Sequence, residues 1–296
     1  QRQMCIRDSN NTYCGGFIGD FRGPNATMNN IKIDGYDFKN QKQMGTTTKI
    51  ESIQNTIPGG GDYRGENYTG GLIGRIYQVS SVNSAQYIGS SSDIDRIQMQ
   101  GHESPDSAFC GGLIGFIKNN AKTDTGKIMI SNCMVKNAFI DGRATTTIIY
   151  GNPDIYVSGL VGACYTSDAF NLLYIENSKV YNSTINCLGN ERIEAFASGI
   201  LGAATWAGTH YINDCYVYGS KIVATSNSAT NLANPRKDNA YVAGICSHIT
   251  STTINVNHCV VIDSLLDSIS QNGESFASGM VYHYSSSTIR LNNCYT

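Results

Sequence analysis

Apolar and polar residues alternate along this chain in short runs, and the runs return in a fixed order. A seven-residue unit, aromatic-small-small-Gly-apolar-apolar-small, occurs seven times. One copy is Tyr68-Thr69-Gly70-Gly71-Leu72-Ile73-Gly74, and another is Phe109-Cys110-Gly111-Gly112-Leu113-Ile114-Gly115. The central glycines are Gly16, Gly71, Gly112, Gly159, Gly199, Gly244 and Gly279. Alternation over a few residues predicts strands. Self-similarity at this interval predicts a stacked-repeat architecture.

A second unit follows each glycine unit. Its clearest copies are Ile130-Ser131-Asn132-Cys133-Met134-Val135 and Ile212-Asn213-Asp214-Cys215-Tyr216-Val217. Cys259 and Cys294 occupy the same position later, and Ser178 replaces the Cys in the fourth repeat. A small residue and an apolar one recur downstream, as Ala138 and Ile140, Ser183 and Ile185, Ser220 and Ile222, Ser264 and Leu266. The polar pair before the Cys is rich in Asn, which tolerates the left-handed backbone of tight corners. Strand, Asn corner, strand is what a coil of a parallel β-helix requires, with equivalent positions stacked about 4.8 Å apart.

The expected fold is therefore all-β: a right-handed parallel β-helix running as one solenoid over residues 10–296. A rung of three short strands takes about 20 to 25 residues at common strand lengths. The central glycines are 35 to 55 residues apart, so about seven two-rung repeats are expected. The glycine unit would lie on one rung and the Asn-Cys unit on the next. Spacing varies through excursions at 40–67, 101–108, 118–125, 142–154 and 225–239. The motif glycines are expected to permit close backbone packing or bulges.

Charge narrows the function classes. Charged residues are 15% of the chain, against about 25% in a typical domain. The net charge is -2 with no basic run, which argues against a nucleic-acid partner. No apolar stretch approaches the roughly 20 residues of a membrane-spanning helix. Residues 1–9 match no repeat. The run Met4-Cys5-Ile6-Arg7-Asp8-Ser9 reads either as translated sequencing-adapter DNA or as a short lead-in. The last unit breaks off at Asn293-Cys294-Tyr295-Thr296, so further repeats or domains of a longer parent chain are expected partners.

The paired pattern resembles the GLUG repeat, a Gly-Gly-Leu-Val/Ile-Gly box followed by a strand ending in Asn-Cys or Asn-Cys-Tyr. The residues carrying it are Gly111-Gly112-Leu113-Ile114-Gly115 with Asn132-Cys133, and Asn293-Cys294-Tyr295. The resemblance runs from Tyr13 onward and weakens where Ser247 and Tyr282 replace the closing Gly. It implies a non-catalytic β-solenoid segment of a large bacterial surface or secreted protein, a group that includes immunoglobulin A peptidases. It implies an extracellular or cell-surface setting and transfers no catalytic residue.

Candidate chemistry is sparse. With two rungs per repeat, Cys133, Cys215, Cys259 and Cys294 would be about 9 to 10 Å from one another. That is too far for a disulfide, which needs Cα atoms within about 7 Å. They are expected to be buried free thiols, whereas Cys164, Cys187 and Cys246 leave a disulfide open. His248 and His283 share one repeat position and form either a weak metal or ligand site or a pair of surface histidines. Asp93 and Asp95 beside Arg96 suit Ca²⁺ or acid-base work on a polysaccharide, or simply a solvated face. Most tyrosines fall at motif positions and are expected to pack in ladders. Tyr150, Tyr165 and Tyr211, with Trp206, are read as loop aromatics able to stack on sugars. No catalytic signature and no cofactor motif is present. The leading expectation is a scaffold that contacts glycans or host surface proteins through protruding loops. The alternative is a polysaccharide lyase or glycoside hydrolase of the pectin-lyase-like type.

Overall fold

The computed structural model describes residues 4–8, 11–23, 26–34, 36–37, 42–43, 50–53, 67–78, 80–90, 96–102, 107–119, 126–145, 154–169, 171–190, 193–227, 239–282 and 285–296. Among them there is no helix. The chain winds as a parallel β-helix with five sheets along its length. One coil shows the order. It runs Asp154–Ser158 in sheet 1, Val161–Thr166 in sheet 2, Leu172–Glu176 in sheet 3, Lys179–Tyr181 in sheet 4 and Thr184–Asn190 in sheet 5. The next coil repeats these with Glu194–Ser198, Leu201–Trp206, Thr209–Asn213, Tyr216–Tyr218 and Lys221–Asn227.

Each repeat supplies one coil, not two rungs. Consecutive glycine units pair directly: Phe109 is in register with Tyr68 on one side and Tyr156 on the other. The two-rung estimate assumed three strands per turn. Five strands and the corners between them fill the whole repeat. The corner residues Ala138, Ser183, Ser220 and Ser264, which hydrogen-bond from coil to coil, are accordingly 45, 37 and 44 residues apart.

The corners follow from local chemistry. Between sheets 3 and 4 the left-handed residue is Asn132, Asn177, Asp214, His258 and Asn293 in successive coils, with φ of 46° to 54°. Asn132 donates to Asn83 Oδ1 at 2.8 Å, and Asn177 donates to Asn132 Oδ1 at 2.7 Å, so the corner amides form a ladder. A second left-handed corner, between sheets 4 and 5, uses Asn137, Asn182, Gly219 and Asp263. The small residue after it closes the corner. The Ser183 hydroxyl donates to the Tyr181 carbonyl and accepts the Ala138 N–H of the preceding coil.

Cysteine does similar work at the first corner. Cys133, Cys215 and Cys259 each donate a thiol to the carbonyl two residues earlier, at 3.2 to 3.4 Å. Single-coil repeats also correct the expected cysteine spacing. Tyr216 pairs with Val260, so Cys215 and Cys259 sit on adjacent coils, about 4.8 Å apart. They are nonetheless free and buried, as are Cys164, Cys187 and Cys246.

The winding encloses an aliphatic core of inward Ile, Val, Leu, Ala and Cys. The motif glycines belong to its geometry: a Cβ on Gly112 would lie under 3.0 Å from the Gly159 carbonyl of the next coil. A second apolar cluster lies on the opposite face of sheet 1, against the opposite face of sheet 2. It is the ladder Tyr13, Tyr68, Phe109, Tyr156, Phe196, Tyr241 and Phe276. Successive rings are 4.5 to 5.6 Å apart and within 18° of parallel.

Two segments outside the repeat units also form strands. Met4–Asp8, in the stretch read either as adapter-derived or as a short lead-in, pairs antiparallel with Asn11–Gly15 at the edge of sheet 1. The 40–67 excursion contains Ile50–Ile53, which pairs with residues 97–100 in sheet 5.

Candidate functional site

The angle between sheets 1 and 2 holds the buried ionisable side chains Arg75 and His248. Along sheet 2 the residues facing the aromatic ladder are Asp20, Arg75, Phe116, Ala163, Ala203 and His248. Arg75 makes two hydrogen bonds to Asp20, at 3.1 and 2.7 Å, and one to the Tyr13 hydroxyl at 2.9 Å. Its guanidinium sits 4.0 Å from the Tyr13 ring centre. This is a buried charge with its donors satisfied, the arrangement that burial demands. His248 packs edge-on against Tyr156 and Phe196. It is buried rather than at the surface, and burial pushes its imidazole down to about 3. His283, its expected partner, lies outside the described residues. Among the described residues no three His, Cys, Asp or Glu side chains gather as a metal site.

Two carboxylates meet at the start of sheet 1. Asp154 and Glu194 are in register on adjacent coils. The Tyr156 hydroxyl donates to Asp154 at 2.9 Å, and Asn239 donates to Glu194 at 3.0 Å. Burial first, and the Glu194 charge second, push the Asp154 carboxyl up to about 8, against the pull of the Tyr156 hydrogen bond. Sequence reasoning missed this pair. Its signal was the shared position two residues before the motif aromatic. The carboxylates named from sequence, Asp93 and Asp95, lie outside the described residues, as does Tyr150.

The remaining expected aromatics stand on strands, not loops. Tyr165 is in Val161–Thr166, and its ring is 5.2 Å from that of Trp206, which ends Leu201–Trp206 half-exposed at 52%. Tyr165 also meets Phe109 and Phe116 edge-on, so the ladder holds it in place. Tyr211 stacks on Tyr174 of the preceding coil at 4.7 Å, and the Lys127 ammonium lies 4.3 Å from the Tyr174 ring centre.

Sheet 4 adds aromatics that sequence reasoning did not single out. Its strands have three residues with the middle one buried, so both outer residues face out. One outward column reads Met134, Lys179, Tyr216 and the other Ile88, Lys136, Tyr181, Tyr218. Tyr216 and Tyr218 are 38% and 45% exposed. Tyr181 and Tyr218 meet edge to face at 6.3 Å. Ile88, Met134, Lys136, Tyr181 and Tyr218 line an open groove of 590 Å³ with Asn137 and Asn182 along it. The pairs Tyr165–Trp206, Tyr174–Tyr211 and Tyr181–Tyr218 all join the same two coils. Together they form an aromatic belt across sheets 2, 3 and 4. No carboxylate of the described residues pairs with Lys136 or Lys179.

No helix among the described residues is long and apolar enough to cross a membrane. No protein-family model, curated protein or solved structure matches the chain.

Proposed function

We propose that this chain is a non-catalytic, glycan-contacting scaffold of a secreted or cell-surface protein. The observation that carries the reading is the outward aromatic belt. Rigid strands hold the aromatic rings in contact from coil to coil, two of the three pairs in direct register, partly exposed and with amide groups beside those on sheet 4. Flat rings flanked by hydrogen-bonding amides suit the apolar faces and hydroxyls of sugars. The resemblance to GLUG repeats supports the setting. The contact surface in this reading is strand-borne, where the sequence suggested loops. Glycan-array screening of the purified chain followed by calorimetry tests it. Tyr211→Ala and Tyr218→Ala together should weaken any bound glycan by at least about tenfold, or ~1.4 kcal/mol. Unchanged affinity in that double variant would remove the belt from the reading.

The Asp154–Glu194 pair favours a second reading, a glycoside hydrolase. Neighbouring carboxyl groups, one of them with a raised proton affinity, are the usual equipment for acid-base work on a glycosidic bond. Here both carboxylates are already engaged by Tyr156 and Asn239, so the scaffold reading ranks first. Reducing-end release from a polysaccharide panel, abolished by Asp154→Asn or Glu194→Gln, would reverse that order.

A further inference from the structure

The groove on sheet 4 has a charge as well as a shape. It crosses four adjacent coils, from Ile88 through Lys136 and Tyr181 to Tyr218. Three steps of about 4.8 Å give it a length of about 14 Å along the solenoid axis. The strand residues lining it are Ile88, Met134, Lys136, Tyr181 and Tyr218, of which Lys136 alone is charged. Lys179 leans on a ring, with its ammonium 5.6 Å from the Tyr216 ring centre. Lys136 is exposed, lines the groove, and pairs with no carboxylate of the described residues. A cation with no carboxylate partner among the described residues, beside stacking platforms, selects for an anionic ligand.

We infer that this groove binds a carboxylated glycan strand lying along the solenoid axis, with Lys136 holding a carboxylate and Tyr181 and Tyr218 supporting the sugar faces. The inference rests on the glycan reading above and narrows its ligand class. Other anionic ligands fit less well. A peptide adding itself as a strand needs a free sheet edge. Here the strands at Met134–Lys136 and Lys179–Tyr181 are paired on both sides. A nucleic acid needs several phosphate contacts for useful affinity, and the groove offers one free lysine on a chain of net charge -2. A glycan bearing one carboxylate per few sugars matches one lysine followed by two rings along the same column. Asn137 and Asn182 at the groove margin supply amides for hydroxyl groups.

The test compares a uronic-acid-containing hexasaccharide with its carboxyl-reduced form, which keeps the sugar skeleton and loses the charge. Calorimetry on the full chain should give at least about tenfold tighter binding of the acidic form. Lys136→Gln should abolish that preference while leaving the melting temperature unchanged, since Lys136 is exposed. Tyr218→Ala should weaken both forms. Raising the salt concentration should weaken only the acidic form. Equal binding of the two forms, with Lys136→Gln behaving as wild type, would overturn the charge assignment and leave the glycan reading standing. Failure of both forms in the groove, with neutral glycans still captured in the array, would overturn the inference alone. Failure of every glycan in the array would overturn both.

Discussion

Replacing Gly112 by alanine tests what the recurring glycine unit is for. Gly112 does not have a positive φ, so backbone strain is not the issue; space is. An added Cβ would lie under 3.0 Å from the Gly159 carbonyl of the next coil and 2.8 Å from Ile140 Cδ1. The side chain can yield, but the carbonyl belongs to the inter-coil ladder. Restoring an ordinary carbon–oxygen contact requires the coils to part by roughly 1 Å at this point. Three hydrogen bonds of 3.0 to 3.1 Å cross the same gap, from Gly112, Leu113 and Ile114 to Ser158 and Leu160. Each buried bond costs about 1 kcal/mol when lost, and more when its groups stay unsatisfied. The gain from a stiffer unfolded chain offsets about 0.5–1 kcal/mol. The expected net loss is about 2–4 kcal/mol. Gly219 is the control. It sits at φ +59°, where Asn137 and Asn182 stand in the preceding coils, and the atoms near its absent Cβ are those of the Asn182 side chain. Gly219→Asn should therefore change stability by no more than about 0.5 kcal/mol. Urea unfolding followed by circular dichroism compares the two. A Gly112→Ala midpoint no lower than that of Gly219→Asn would refute the close-packing account.

Three further outcomes follow from titratable groups. The Asp154 carboxyl has its affinity for a proton raised by folding, from 3.8 to about 8. Its contribution is present at low pH and lost as pH rises from about 4 through 8. Asp154→Asn should flatten that alkaline decline in melting temperature, each pKa unit being worth ~1.4 kcal/mol; an unchanged pH profile would contradict it. His210 faces the core fully buried with neither ring nitrogen hydrogen-bonded, and burial lowers it to about 4. Its folded state must stay neutral, so stability is full above pH 6.5 and falls as pH drops toward 4, by up to about 3 kcal/mol. His210→Leu should remove this acid sensitivity in melts between pH 7 and 4, and equal slopes for the two proteins would refute it. Among the eight free thiols of the described residues only Cys294 is not buried, and burial raises Cys133 to about 11 and Cys246 to about 12. Iodoacetamide at pH 8 should therefore label Cys294 alone among these eight until the chain is unfolded; mass spectrometry showing Cys133 alkylated at a similar rate would contradict the packing.

Much of the fold was legible because a solenoid writes its contacts into the sequence. Tyr68, Phe109, Tyr156 and Phe196 share one motif position, and equal positions stack. Asn132 and Asn177 announced a corner because few other residues accept a left-handed backbone cheaply. The sheet 4 aromatics carried a signal too. Tyr181 and Tyr218 lie three residues after the corner Ser178 and Cys215. Three-residue strands such as Lys179–Tyr181 are too short to show alternation, so their outward aromatics do not stand out in the sequence.

The amino-acid sequence by itself determined that the chain is a parallel β-helix, where its Asn corners fall, and which residues form its aromatic ladder. These follow from period-two alternation, backbone preference and in-register repetition, all of which are local or periodic. Only the tertiary structure decided that one repeat makes one five-stranded coil. It alone set Asp154 against Glu194 and gathered Tyr165, Trp206, Tyr174, Tyr211, Tyr181 and Tyr218 onto two neighbouring coils. These depend on the number of strands per turn, which sets the residues that become neighbours across 37 to 45 positions of chain. No local propensity carries that number. It is fixed when five sheets close around one aliphatic core.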